Sequence, residues 1–146
     1  MRKNFFVIGI VLVFIIIIGV LIQISENNKK NLNIDEAKNL ISDYLNFLST
    51  KDLEGLKRSS TDKWGKDFNT NTIDLLNDNL ESAKLINCKI TESDTNRVLV
   101  YAEVELICYE NSSQIGDWIP GKSISKKSFE LVKVENEWKI NGWGVY

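Results

Sequence analysis

Apolar and polar positions beyond residue 33 follow first a helical and then a strand period. Asn33 stands where a helix cap belongs, with Asp35 and Glu36 in the first turn, where negative charge suits the positive end of the helix dipole. Ala37, Leu40, Ile41, Tyr44, Leu45 and Leu48 then recur at spacings of three and four and mark one buried face. Thr50 and Asp52 restart a shorter helical segment that breaks near Ser59-Ser60, although Gly55 inside it is unfavourable. A third helix is predicted over 72–80, with Ile73, Leu76 and Leu80 inward.

The period then changes to two. Ile86, Cys88 and Ile90 alternate with Asn87, Lys89 and Thr91, as in a half-buried strand. Ser93, Asp94, Thr95 and Asn96 supply turn chemistry. The next strand is cleaner: Val98, Val100, Ala102, Val104, Leu106 and Cys108 share one face. A long loop with Gly116, Pro120 and Gly121 leads to a strand over 123–134, and Glu135-Asn136 turns into a last one over 138–145. Helices first, then a four-stranded antiparallel meander, is an α+β arrangement with no internal repeat.

The start of the chain is different in kind. Residues 5–22 carry no charge and no strongly polar side chain, and as a helix they would span roughly 27 Å, close to the hydrocarbon thickness of a bilayer. Arg2 and Lys3 precede the run, which orients the N-terminus to the cytoplasm. A cleaved signal peptide is the main rival, but Val20 to Ser25 offers no small-residue cleavage pattern. A lipoprotein signal would need a cysteine just after the run, and none lies before Cys88. The expected organisation is residues 1–24 as cytoplasmic tip and single transmembrane anchor, 25–33 as a polar linker, and 34–146 as an extracytoplasmic domain at the cell membrane.

Composition narrows the chemistry. Apolar residues make up 43% of the 146-residue chain and charged residues 26%, which suits a globular core. The net charge of −2 lacks the basic footprint that phosphate backbones require, so nucleic acid is not expected as a partner. Histidine is absent, which removes Ser-His-Asp and Cys-His catalysis, HExxH zinc sites and His-ligated haem together. No cofactor, metal or catalytic residue is implied.

Three helices followed by long strands, with Lys63-Trp64 after the second helix, Gly116-Asp117-Trp118 in the long loop and a closing Trp138-Lys139-Ile140 and Trp143-Gly144-Val145, resemble the nuclear transport factor 2-like (cystatin-like cone) superfamily. More narrowly, the order is similar to an uncharacterised membrane-anchored branch from Gram-positive bacteria. The resemblance covers residues 34–146 and implies three helices on a curved four-stranded antiparallel sheet. It does not imply one function, since this fold hosts isomerases, dehydratases, transport factors and scaffolds.

With the hairpin turn near Asp94-Thr95, Cys88 should face roughly residue 101, too far along the strand from Cys108 for a bridge, so both thiols are expected to be free. Trp138 and Trp143 read as core. Trp64 and Trp118, in loop-like sequence, are candidates for a ligand rim, with Tyr44 as the polar tip inside. No acid is placed beside Tyr44 by pattern, which favours a non-enzymatic role. The outward face of the second strand carries Leu99, Tyr101, Ile107 and Tyr109 around Glu103 and Glu105, more apolar bulk than a plain solvated face needs. That face is the candidate surface for a second copy or another envelope protein. The expected function is a membrane-tethered binding or assembly module. The alternative is a carrier or sensor of a small apolar ligand inside the cone, and a weaker one is an isomerase- or hydratase-like enzyme.

Overall fold

The computed structural model describes residues 32–145, and the expected transmembrane run lies outside them. Among the described residues no helix is long and apolar enough to cross a membrane. Helix α1 spans Ile34–Thr50 and starts on a capping box. The Asn33 side chain accepts from the Glu36 amide at 2.9 Å, and the Asn33 amide donates back to the Glu36 carboxylate at 3.4 Å. Ala37, Ile41, Tyr44, Leu45 and Leu48 form its buried face, as the period predicts. Leu32, before the cap, belongs to the same core.

Helix α2 spans Leu53–Ser59 and is capped by Asp52. Its glycine is a packing requirement. A β-carbon on Gly55 would lie 2.5 Å from a ring carbon of Phe47, so only glycine lets α2 close on the end of α1. A helix absent from the sequence reading follows: α3, Asp62–Gly65, capped by Thr61. Trp64 therefore sits on a helical turn rather than in a loop. Helix α4 runs over Thr70–Asn79, where 72–80 was predicted, and Leu80 belongs to the next strand while still pointing inward.

The strands are β1 (Leu80–Ser93), β2 (Arg97–Cys108), β3 (Gly121–Val134) and β4 (Glu137–Val145), in the sheet order of the sequence and antiparallel throughout. Glu135 and Asn136 at φ 50° and 70° make the tight β3–β4 turn, where two successive positive φ values match the twist of the strands. The inner face of β2 is buried from Val98 to Cys108, as expected. Cys88 lies opposite Ala102, one residue from the predicted position, and both cysteines are free. Burial pushes both thiols above their ordinary pKa.

One inward assignment fails. Register shifts interrupt the β1–β2 ladder at three places, one of them between Leu85 and Asn87. The extra residue there sends Ile86 to solvent, 47% exposed, while Leu85 packs on the core in its stead. The same irregularities make β1 a poor template for pairing with another strand at its free edge.

Candidate functional site

The interior is built around the Tyr44 ring, 1% exposed on α1. Phe129 of β3 and Trp143 of β4 meet it edge-on, with centroids at 6.4 and 6.1 Å, and Phe68 lies 6.5 Å away. Trp64 packs on Phe68 at 6.0 Å, and its indole Nε1 donates to the Tyr44 hydroxyl at 3.2 Å. Burial raises the Tyr44 hydroxyl to about 12, against the smaller opposing effect of the Trp64 hydrogen bond. Tyr44 is thus a neutral phenol at any ordinary pH.

A second cluster sits at the loop end of the sheet, where the 109–120 segment joins β2 to β3. There the inner face of β3 turns polar: Ser123, Ser125 and Lys127 continue the alternation that Phe129 and Leu131 begin. Lys127 is only 3% exposed. Its ammonium donates to both carboxylate oxygens of Asp117, at 2.7 and 2.5 Å, and lies 4.8 Å above the Trp143 ring. The Ser125 hydroxyl donates to the same carboxylate. Burial alone would push the Asp117 carboxyl up, but Lys127 and Ser125 outweigh it and hold the group below the usual carboxylate range.

Asp117 reaches this position through a tight turn. Ile115 and Trp118 exchange backbone hydrogen bonds at 3.1 and 3.0 Å, and Gly116 between them takes φ 61°, a left-handed value that suits glycine. The turn also lays Trp118 against Trp143, at 6.4 Å between centroids. On the same strand face as Lys127 the Ser123 hydroxyl is buried without a hydrogen-bond partner among the described residues.

The three sequence-predicted ligand residues thus join one aromatic chain: Trp64 touches Tyr44, Tyr44 touches Trp143, and Trp143 touches Trp118. Trp64 and Trp118 are half-buried, and Tyr44 is interior, as its helical spacing predicts. Trp143, expected in the core, packs against it and also links both clusters. An acid that pattern does not single out, Asp117, folds onto the inward-facing Lys127 from a loop whose sequence shows no periodicity, with its own side chain 27% exposed. Lys127 was missed too, although its signal is legible: stepping back by twos from Phe129 places a lysine on an inward face.

The outer face of β2 presents Leu99, Tyr101 and Ile107, with Tyr109 just beyond the strand, all half-buried. Charged neighbours partly cover them. Lys122 pairs with Glu105 at 2.6 Å, Arg97 pairs with Glu130 at 2.6 Å, and the Lys89 ammonium lies 5.2 Å from the Tyr101 ring centre. The most exposed large apolar side chain on this face is Ile124, at 63%. Among the described residues no group of three or more Cys, Asp or Glu is placed to hold a metal ion.

No protein-family profile matches the sequence, and no curated protein sequence does. Solved structures do match. The intermembrane space region of chloroplast protein ARC6 superposes with a TM-score of 0.55 at 14% identity, over 80% of this chain and 98% of that one. A candidate aromatic ring hydroxylase from Novosphingobium aromaticivorans gives 0.52 at 14%, over 73% and 82%. A candidate scytalone dehydratase from the same organism gives 0.51 at 15%, over 75% and 85%. The likeness to such neighbours is to the nuclear transport factor 2-like fold, here four helices on an open four-stranded antiparallel sheet. At such identities the likeness extends to the fold alone.

Proposed function

We propose that this cone is a membrane-tethered, extracytoplasmic binding or assembly module with no reaction of its own. The observation that carries the reading is its filled interior: Tyr44, Phe129, Leu131 and Ile140 are at most 1% exposed and occupy the space a swallowed apolar ligand would need. An isomerase- or hydratase-like step needs an interior group free to exchange a proton. Tyr44 is held protonated, and Asp117 and Lys127 are held against each other. The ARC6 region offers a precedent for such a cone in a compartment bounded by membranes. The apolar run at 5–22 supplies the tether in this reading.

The docking surface proposed is the outer sheet face around Leu99, Tyr101, Ile107 and Tyr109, with a second copy of the chain as its occupant. Cross-strand neighbours on that face alternate in sign, Lys84 beside Glu105 and Glu103 beside Lys126, a pattern that complements itself across a two-fold axis. Sedimentation of a 31–146 fragment should give a dimer that Tyr101→Lys dissociates. A monomer in both cases removes self-association. Protease added to intact cells should cut the domain from outside, and a mature chain found in the medium without residues 1–24 would remove the tether.

A further inference from the structure

A buried ion pair is weak evidence of a stability role, because well-packed apolar residues of the same volume usually serve as well or better. Lys127 therefore calls for another explanation, since its inward neighbours on β3 in one direction are Phe129 and Leu131. Its surroundings divide into two halves. Lys127, Ser125 and Trp143 stand on paired strands of the sheet, whereas Asp117 and Trp118 arrive together on a loop turn. The carboxylate of Asp117 meets the ammonium, and the adjacent indole of Trp118 meets Trp143.

We propose that the loop end of the cone is a binding site for an arylalkanoate-type carboxylate, and that Asp117-Trp118 occupies it as an internal stand-in. A ligand carrying an anionic head two or three bonds from a flat apolar ring reproduces both contacts at once. It displaces the turn, takes the hydrogen bonds of Lys127 and Ser125, and lays its ring on Trp143. The Ser123 hydroxyl, two residues before Ser125 on the same inward face and without a partner among the described residues, is a further donor at that end of the strand. The inference goes beyond the docking of a second copy, because it concerns the inner face of the sheet and stands whether or not the outer face is covered.

The same chemistry is offered by a small acid and by the C-terminus of a peptide ending in an aromatic residue. The full chain in detergent is titrated with phenylacetate, with phenylacetamide, and with a tripeptide ending in phenylalanine in free-acid and amidated forms, following tryptophan fluorescence. Binding of phenylacetate or of the free-acid peptide, lost in Lys127→Met and absent for the neutral forms, is the expected result, and the tighter of the two names the source. Removing the internal competitor with Asp117→Asn should tighten binding about tenfold or more, since the apparent affinity of a site scales with the fraction of time it is open. In the unmutated chain, hydrogen exchange across residues 110–119 should rise several-fold with saturating ligand while β2 and β3 stay protected. No binding of either acid, equal binding of the neutral forms, or unchanged loop exchange at saturation overturns the proposal.

Discussion

The inner face of β3 has two halves that obey one alternation and face opposite problems. Phe129 and Leu131 bury apolar surface against Tyr44 and the helices, and their packing needs no partner of particular charge. Ser123, Ser125 and Lys127 bury polar groups on the same face, and the last two depend on the Asp117 carboxylate across from them. The apolar half is stable by volume alone. The polar half takes its counter-charge from Asp117, which a loop supplies. Stability is concentrated in one half and conditional behaviour in the other.

The largest expected effect lies in the apolar half. Phe129→Ala should cost about 3–5 kcal/mol in urea unfolding, because the void is walled by Tyr44 and Trp143 and cannot easily collapse. A cost near 1 kcal/mol would show that this half is as pliable as the other. Alkali probes the same region. Tyr44 titrates above the unfolded value of about 10, so its contribution is intact below pH 10 and is lost as pH rises toward 12. The loss should be on the order of 2–3 kcal/mol, and it should flatten in Tyr44→Phe when unfolding is followed against pH.

The polar half should give less. Asp117→Ala leaves a buried ammonium without its anion, but the Asp117 side chain is 27% exposed and water can take part of its place. A cost of about 2 kcal/mol is expected, below the range for fully enclosed pairs. Its pH behaviour has the opposite sense to that of Tyr44. The carboxyl is depressed, so its contribution is present above the unfolded value of about 3.9 and is lost as pH falls through the lower folded value. The turn should therefore stay latched at neutral pH and release only in acid, as hydrogen exchange at residues 110–119 would report. Smallest of all is the outer face. Lys122→Gln breaks an ion pair whose lysine is 62% exposed, and a change within about 0.5 kcal/mol in thermal unfolding is expected.

Much of the framework is legible in the order of residues. Period-two runs placed the inner face of β2, period-three-and-four runs placed the buried face of α1, and the Asn33 cap and the Glu135-Asn136 turn sit where their chemistry puts them. The misses are instructive. Ile86 reads as inward by alternation, yet an extra residue in the ladder reverses it, because alternation presumes an unbroken pairing with the neighbouring strand. Helix α3 is too short to show a period at all. Of the site, Tyr44, Trp64 and Trp118 are recognisable as candidates, whereas the partnership of Asp117 with Lys127 is not.

Sequence alone determined the class of the domain, the longer helices and the four strands, the buried faces of α1 and β2, the absence of histidine chemistry, and two thiols too far apart along the sheet to join. Each of these follows from backbone periodicity or from inventory, and neither depends on distant residues. Tertiary structure decided that the Trp64 indole reaches Tyr44 across 20 positions of chain, that Asp117 returns 10 positions to close over Lys127, and that Trp143 joins the two clusters. Such meetings depend on where loops and helix ends are carried by the rest of the fold, and local pattern holds no record of that.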